Sequence, residues 1–323
     1  MAENPPQAFK QYILEYTLAH CDRANACTVQ FSPDGLLIAV GSDPTVRTYI
    51  IFRQKPILHR VFSGHAGRVT DLSFSSDCRF LATSSYDTTV RLWDVSRGSL
   101  VRTLTGHNGI VSCVKFNRES DMIASGSFDE TVRIWDVDTG ACKKVIPAFA
   151  GHVTGVDFYP DASMIVACGL GGLCRIWDTA TGKRIITVKK AAIPPVGSVM
   201  FSSDGKFVLI GNMDSTVMIW SMSRGMLYTR QVGHKNMTGL STFLRADERY
   251  VVIGSEDNCL YIWEVMSGTL VQKIEAHTAP VLSVSCHPTR NMIATASFED
   301  SNTVKIWTQD YSFVSDKRKS PKI

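Results

Sequence analysis

Histidine and aspartate recur at a fixed spacing along this chain. His65 precedes Asp87 by 22 residues, and His107 precedes Asp129 by the same 22 residues. An imidazole beside a carboxylate is the pairing that activates a hydroxyl or thiol nucleophile in acyl transfer. A catalytic site needs such a pair once, whereas this chain repeats it at equal spacing. The repetition therefore favours a structural role for these side chains over catalysis.

Other motifs that carry chemistry are absent from the sequence. It contains no GxSxG elbow, no HExxH sequence and no glycine-rich phosphate loop that ends in GK followed by Ser or Thr. The nine cysteines never form a CxxC pair, and no pair of Cys or His has the spacing of zinc ligands. We therefore predict a protein that is not an enzyme and that binds no cofactor and no metal ion.

The composition indicates a globular chain with a small positive charge. Of the 323 residues, 44% are hydrophobic and 20% are charged, and the formal net charge is +4. No run of about 18 apolar residues predicts a membrane span, and the first residues do not resemble a signal peptide. The charge excess does not predict direct binding to nucleic acid. The cysteine pattern is typical of a reducing compartment, so we expect the nucleus or the cytoplasm.

Large aromatic residues recur with one period along the whole chain. Successive members of the series are 42 to 44 residues apart, and the series includes all six tryptophans. Its members are Tyr49, Trp93, Trp135, Trp177, Trp220, Trp263 and Trp307. A period of about 40–45 residues is typical of a four-stranded propeller blade. Seven such blades predict one large ring of sheets.

The residues between the aromatic positions read as short strands. β-branched and aromatic residues occur in runs separated by Gly, Asp, Asn and Ser, which is typical of a meander of strands. The last repeat lacks a fourth strand, and residues 13–18 resemble the fourth strand of the other repeats. The sequence therefore predicts an all-β, seven-bladed propeller over residues 13–308 that an N-terminal strand closes. Residues 1–12 and the basic segment 309–323 are expected to be tails.

The repeated phrase resembles the WD-repeat family. "GH" begins several repeats and "WD" ends three of them, as in "GSFDETVRIWDVDTG". Longer phrases, above all "LVQKIEAHTAPVLSVSCHPTRNMIATASFED", resemble the WD-repeat subunit of SET/MLL-type (COMPASS) histone lysine methyltransferase complexes. The resemblance implies a monomeric, nuclear scaffold that binds other protein subunits, including a methyltransferase. A scaffold in a ubiquitin ligase, RNA-processing or ciliary assembly, nuclear or cytoplasmic, is the alternative.

The resemblance also implies a hydrogen-bonded set inside each blade. Each set would join the His, a strand hydroxyl such as Thr83 or Ser125, the Asp and the Trp, because buried polar groups need partners. The expected members of these sets are His65, Asp87, Trp93, His107, Asp129, Trp135, His234, Asp257, Trp263, His277, Asp300 and Trp307. Blade four lacks both partners, with Phe149 and Gly171 in their places. Blade five keeps Asp214 without a histidine, which leaves the partner of Asp214 open.

Two partner-binding surfaces follow from the same resemblance. The family holds an arginine side chain between two phenylalanines in the central channel, and Ser112 stands where one of them is expected. The clamp is therefore expected to be lost, although other residues around the channel opening are apolar or aromatic. The predicted contacts at this opening are Phe128, Tyr86, Ser112, Met213, Glu256 and Phe298. A groove between blades five and six is predicted at Phe207, Ile219 and Asp204, with core packing as the alternative.

Two further groups of residues are expected to be solvated. Arg91 and Arg133 occupy strand positions that are expected to face water. His152 and His287 fall outside the repeat positions, and we expect surface or loop roles for them.

Overall fold

Antiparallel strands make up the regular structure of this chain. The computed structural model describes residues 9–19, 28–51, 56–188, 194–214, 216–225, 227–231, 241–243, 249–265, 267–297 and 303–309. These residues form seven sheets of four strands each, as predicted. No helix that could cross a membrane occurs within these ranges.

Blades one to four follow one another along the chain. Blade one contains β2 (Thr28–Phe31), β3 (Leu37–Gly41), β4 (Val46–Ile50) and β5 (Ile57–Phe62). Blade two contains β6 (Val69–Phe74), β7 (Phe80–Ser85), β8 (Val90–Asp94) and β9 (Ser99–Leu104). Blade three contains β10 (Val111–Phe116), β11 (Met122–Ser127), β12 (Thr131–Asp136) and β13 (Cys142–Pro147). Blade four contains β14 (Val153–Phe158), β15 (Met164–Gly169), β16 (Cys174–Asp178) and β17 (Arg184–Val188).

The remaining blades complete the ring. Blade five contains β18 (Val196–Phe201), β19 (Phe207–Asn212), β20 (Thr216–Ser221) and β21 (Leu227–Gln231). Blade six contains β22 (Ser241–Phe243), β23 (Tyr250–Gly254), β24 (Cys259–Glu264) and β25 (Leu270–Glu275). Blade seven contains β26 (Val281–Cys286), β27 (Met292–Ser297), β28 (Thr303–Thr308) and β1 (Ile13–Ala19). The first strands of neighbouring blades contact one another all round, so they line the centre.

The N-terminal strand closes the ring. β1 pairs antiparallel with β28, from Ile13 opposite Thr308 to Ala19 opposite Thr303, as predicted. The packed structure starts earlier than the expected boundary at residue 13. The Tyr12 side chain is buried, and the side-chain amide of Gln272 in blade six bonds its backbone N–H and C=O at 2.8 and 2.9 Å. We therefore propose that the propeller begins at or before Phe9.

Side chains bridge the innermost strands of neighbouring blades. Each innermost strand has one edge without a strand partner, so its N–H groups need other acceptors. The Phe74 N–H donates to the Gln30 side chain of blade one at 2.9 Å, and the Phe116 N–H donates to Ser73 Oγ at 3.0 Å. These bonds connect blade to blade, while apolar side chains pack between the blades to form the core.

The hairpin between the second and third strands of a blade presents one residue at the surface. In blade three, the Asp129 carboxylate accepts hydrogen bonds from the Thr131 N–H at 3.0 Å and from its hydroxyl at 2.7 Å. Glu130 has a φ of 71°, which closes the turn in the left-handed region. Phe128 precedes this turn and is therefore held at the rim. We call the face that carries these hairpins the upper face.

Candidate functional site

Blade two contains a chain of four hydrogen-bonded side chains. His65 Nδ1 lies 2.7 Å from Asp87 Oδ2, and His65 Nε2 lies 2.7 Å from Thr83 Oγ1. Trp93 Nε1 donates to the same Thr83 oxygen at 2.9 Å. The Thr83 hydroxyl can accept from the indole and donate to Nε2, so that Nδ1–H donates to the carboxylate. One direction of donation satisfies all four groups with a neutral imidazole.

The electrostatics of this set agree with a neutral histidine beside a carboxylate. Burial lowers the pKa of His65, although the hydrogen bond that His65 donates to Asp87 and the negative charge of that carboxylate oppose this. Burial acts to raise the pKa of Asp87, but hydrogen bonds from Thr89, His65 and the backbone of Ala66 outweigh it and lower that pKa to about 2. The carboxylate is therefore ionised and the imidazole uncharged at neutral pH.

Blade three repeats the arrangement with serine in place of threonine. His107 lies 2.8 Å from both Asp129 and Ser125, and Trp135 donates to Ser125 at 2.8 Å. In blade seven, His277 and Trp307 share the Thr295 hydroxyl at 2.7 and 3.0 Å. His234 and Asp300, which were predicted for blades six and seven, lie outside the described residues.

The sets have the connectivity of a catalytic triad without its accessibility. A Thr hydroxyl, a His and an Asp in line are the nucleophile, base and orienting acid of acyl transfer. The Thr83 side chain, however, is completely buried, and its oxygen already accepts the Trp93 N–H. A substrate carbonyl could not approach this oxygen, so the set can stabilise the blade but cannot act as a nucleophile.

The prediction that Asp257 and Trp263 of blade six belong to one hydrogen-bonded set is wrong. Asp257 accepts the Tyr261 hydroxyl at 2.5 Å and lies 3.4 Å from Lys273 Nζ. Ile253 occupies the position of the strand hydroxyl, so no oxygen is available there for the indole. Trp263 Nε1 accordingly has no hydrogen-bond partner among the described residues. Asp257 and Trp263 therefore do not belong to one set.

Blade four replaces the polar set with aromatic packing. Phe149 takes the position of the histidine, and its ring centroid lies 5.8 Å from that of Trp177 at an interplanar angle of 81°. The Arg175 guanidinium lies 5.3 Å from the Phe149 centroid. Because the His and the Asp are replaced together, neither of them is left in the blade without the other.

Asp214 of blade five needs no histidine. Its side chain is exposed, and its Oδ1 accepts bonds from the Thr216 N–H at 3.1 Å and from the Thr216 hydroxyl at 2.5 Å. Thr216 of the same hairpin is therefore the partner of Asp214 that the sequence did not identify.

Arg91 and Arg133 are half-buried rather than fully solvated, contrary to expectation. Each guanidinium carbon lies 5.9 Å from the ring centroid of the tryptophan two residues later. Each Nε is buried. A Cβ on Gly64 would lie 2.5 Å from the Arg91 guanidinium, so the glycine of the "GH" pair leaves room for the cation. These arginines therefore cover the tryptophans of their blades.

Aromatic and apolar side chains meet at the rim of blades two to four. The ring centroids of Phe128 and His152 are 4.2 Å apart, and His152 Nδ1 donates to the Phe128 carbonyl at 3.0 Å. Tyr86 on blade two is 47% exposed, and Leu170 on blade four is 36% exposed. We call these four residues the upper-rim arc. The Nδ1 bond leaves Nε2 of the exposed His152 as an acceptor that faces solvent.

His152 and Leu170 are the two members of the arc that the sequence does not predict as contacts. The "GH" at residues 151–152 lies three residues beyond the repeat position, which indicates only a surface or loop histidine. The same displacement carries the imidazole out of the blade interior and onto Phe128 of the neighbouring blade.

The other predicted contacts at the channel opening are more enclosed. Met213 and Glu256 are half-buried, and Phe298 lies outside the described residues. Ser112 donates its hydroxyl to the Val153 carbonyl of blade four at 2.6 Å. Thr70 makes the equivalent bond at 2.6 Å between blades two and three, so Ser112 has a structural connection of its own.

The predicted groove between blades five and six is largely core. Ile219 is buried in the apolar cluster between these blades and offers no surface to a partner, which contradicts its prediction as a contact. Phe207 packs against the same cluster and is half-buried. Asp204 is exposed and forms an ion pair with Lys206 at 2.7 Å. Within the described part of the chain, no group of three or more His, Cys, Asp or Glu side chains could hold a metal ion.

Seven four-stranded blades, of which blades two, three and seven contain a buried His–hydroxyl–Trp set, define a WD-repeat β-propeller. The chain belongs to the family of the WDR5 beta-propeller domain, whose sequence pattern matches residues 17–308. Three relatives share part of this sequence, and each match covers only about a quarter of the relative.

Two of these relatives come from one type of complex. The target of rapamycin complex subunit wat1 of Schizosaccharomyces pombe is 36% identical over 90 residues, 28% of this chain and 28% of the relative. The target of rapamycin complex subunit LST8 of Saccharomyces cerevisiae is 36% identical over 86 residues, 27% of this chain and 28% of the relative. The COMPASS component SWD3 of S. cerevisiae is 40% identical over 73 residues, 23% of this chain and 22% of the relative.

Proposed function

We propose that this protein is a non-catalytic scaffold that binds peptide segments of partner subunits at the upper-rim arc. The observation that carries the proposal is the tilted ring contact of Phe128 and His152, together with the exposed side chains of Tyr86 and Leu170 on the neighbouring hairpins. An exposed cluster of aromatic and apolar side chains at the mouth of a rigid ring is typical of a protein-binding surface. The buried histidines are committed to the blades, so they are not available for chemistry.

We infer further that the scaffold works in the nucleus as a core subunit of a histone lysine methyltransferase complex. Two points support this assignment: the long phrases shared with the COMPASS-type subunit and the similarity to SWD3. Whether a histone tail itself binds depends on the channel, where Ser112 replaces an expected aromatic residue. Partner subunits are therefore the favoured ligands of the arc.

A scaffold in a different assembly, nuclear or cytoplasmic, is the second candidate. The similarity to wat1 and LST8 favours it, because those proteins belong to target of rapamycin complexes. The loss of the arginine clamp favours it too. A propeller of this kind serves any assembly whose subunits fit its surface, so the fold does not separate the two candidates.

Purification from native cells distinguishes these candidates. The tagged full chain and a Tyr86→Ala/His152→Ala variant are purified in parallel, and the bound proteins are identified by mass spectrometry. Val145→Ala is a matched control, because Val145 is 46% exposed on the outer edge of blade three. Recovery of a SET-domain methyltransferase with the wild type and the control, but not with the double variant, is the expected result.

Recovery of ligase, RNA-processing, ciliary or target of rapamycin subunits instead would support the second candidate. Equal recovery of all partners by the double variant would contradict binding at the upper-rim arc.

A further inference from the structure

The outer surface of blades one and two carries an apolar patch on unpaired strand edges. β5 and β9 are the fourth strands of their sheets, so each has one edge without a strand partner among the described residues. Five large apolar side chains on these two strands are between 41% and 63% exposed. They are Ile57, Leu58, Val61, Leu100 and Val101. We call this set the blade one–two wall.

An arginine connects the outer strand of blade one to blade two. Arg60 on β5 reaches across to blade two, where its Nε donates to the Ser96 carbonyl at 3.0 Å. A Cβ on Gly98 would lie 3.0 Å from the Arg60 side chain, so the arginine stem packs against this turn. β5 is therefore anchored to the turn that precedes β9.

This wall lacks the usual protection of an edge strand. Natural edge strands carry charged side chains, especially lysine, that prevent pairing with another chain. β13 follows this rule with Lys143 and Lys144, and β25 carries Lys273 and Glu275. β5 has three exposed aliphatic residues and no carboxylate, and its single arginine is bonded to blade two. β5 is therefore open to pairing.

We propose that the edge of β5 binds an extended segment of a partner protein as an added strand, and that this segment alternates apolar and acidic residues. Unpaired N–H and C=O groups on the edge recognise a strand backbone, and the apolar wall accepts every second side chain. β5 and β9 contain two arginines and no carboxylate, and the neighbouring Arg97 side chain is 80% exposed. This charge selects acidic residues between the apolar ones.

A second copy of the chain is a poorer occupant of the same edge. Antiparallel pairing of two β5 strands would bring Arg60 and Arg97 of each copy near the same residues of the other. Like charges placed opposite one another destabilise a strand pair. The partner strand is therefore foreign to this chain, and its site is separate from the upper-rim arc.

A designed peptide tests the proposal directly. The probe is a fluorescein-labelled peptide of about ten residues, with valine and glutamate at alternating positions. Fluorescence anisotropy measures its binding to the full-length protein and to two variants. Leu58→Glu places a carboxylate on the wall, whereas Ile185→Glu places one on the outer edge of blade four. The two positions are matched, because Leu58 is 51% and Ile185 is 50% exposed.

Saturable binding to the wild type and to Ile185→Glu is expected, with affinity for Leu58→Glu weaker by about tenfold or more. A peptide that is N-methylated at alternate residues should lose binding by a similar factor, because it cannot donate to the strand edge. A peptide with lysine in place of glutamate should also bind more weakly.

Three results would overturn the proposal. Absence of saturable binding up to about 1 mM peptide would show that the edge of β5 does not bind such a strand. Equal binding by the N-methylated peptide would show adhesion to the apolar patch without strand pairing. A concentration-dependent dimer in sedimentation that Leu58→Glu abolishes would assign the edge to a second copy of the chain.

Discussion

At the scale of single residues, one hydroxyl holds each complete polar set together. Ser125 Oγ is 2.8 Å from both His107 Nε2 and Trp135 Nε1, and all three side chains are buried. Removal of this oxygen would leave two buried groups without partners, at a cost of about 1–3 kcal/mol each. The hydroxyl therefore contributes more to stability than an ordinary serine on a strand.

Ser125→Ala is expected to lower the free energy of unfolding by about 2 to 4 kcal/mol. Urea denaturation followed by tryptophan fluorescence measures the change. Ser99→Ala is the matched control, since Ser99 is exposed on β9, and it should change stability by less than about 0.5 kcal/mol. Equal effects of the two substitutions would contradict the role of Ser125.

The same sets make stability depend on pH. Burial lowers the pKa of His65 and of His107, so the folded protein resists protonation while the unfolded chain accepts protons below about pH 6.5. Stability from these groups is fully present above that pH and decreases as the pH falls. A second decrease follows below about pH 4, because the pKa values of Asp87 and Asp129 are lowered to about 2.

The melting temperature is expected to decrease as the pH is lowered from 8 to 5, and thermal unfolding measures this change. A melting temperature that does not vary with pH would contradict the assignment of neutral, buried histidines.

Sequence spacing predicted the sets of blades two and three, because a count of His, Asp and Trp locates three of the four members. The same spacing gave a wrong prediction for blade six, because the strand hydroxyl was not checked there. Ile253 stands at that position, and an aliphatic side chain cannot accept the indole N–H. The spacing of His, Asp and Trp therefore predicts a hydrogen-bonded set only when the strand hydroxyl is also present.

At the scale of elements, turns between the first and second strands connect neighbouring blades. His287 of blade seven is 2% exposed, in contrast to the expected surface role. Its Nε2 donates to the Gly35 carbonyl at 3.1 Å, and its Nδ1 accepts the N–H groups of Thr289 and Arg290 at 3.2 and 2.9 Å. This histidine therefore joins the last blade to the first.

Gly35→Ala is expected to destabilise this junction by about 2 kcal/mol or more. Gly35 has a φ of +72°, and a Cβ there would lie 2.3 Å from the His287 ring. A double-mutant cycle with His287→Ala measures the coupling, because removal of the ring relieves the clash but not the backbone strain. Gly171→Ala is the control, since its nearest contact would be 3.4 Å. Additive effects of Gly35→Ala and His287→Ala would contradict the contact.

Deletion of residues 1–18 is expected to lower the melting temperature of the whole propeller, with a single cooperative transition. β1 supplies the outer strand of blade seven, and Leu18 packs into the core between blades seven and one. Leu18→Ala tests the same contact without a deletion and should cost about 2–4 kcal/mol. Deletion of residues 310–323, which keeps the buried Gln309, is the control. An unchanged transition after removal of β1 would show that the other blades hold the ring closed by themselves.

The strands and the closure of the ring could be predicted from the period of the aromatic residues, because each blade needs the same four strands. The start of the packed structure could not be predicted from this period. Tyr12 and Phe9 precede the repeat, and their burial depends on Gln272 and Tyr250 in blade six, which are far away in sequence. Contacts that do not repeat leave no periodic signal.

At the scale of the whole molecule, the residues that hold the blades together differ from the exposed residues that could contact partners. Polar sets, arginines over tryptophans and hydroxyls between inner strands hold the blades, so these residues have little freedom to serve partners. The upper-rim arc and the blade one–two wall carry exposed apolar residues on that rigid frame. Partner choice therefore depends on residues whose replacement leaves the fold intact.

The central channel gives the last prediction, which concerns the arginine peptide that the family binds. Ser112 stands where a phenylalanine is expected, and its hydroxyl already donates to the Val153 carbonyl at 2.6 Å. Without an aromatic face at this position, the guanidinium loses an attraction of about 0.5–2 kcal/mol and the apolar contact that accompanies it. Calorimetry with a peptide that carries the motif should therefore show binding at least about tenfold weaker than that of a family member with both phenylalanines. A family member with both phenylalanines is the positive control for the peptide. Micromolar affinity for the present chain would mean that the upper-rim arc, with Phe128 and the Nε2 acceptor of His152, has taken over the recognition of arginine, since the channel wall itself offers no ring at residue 112.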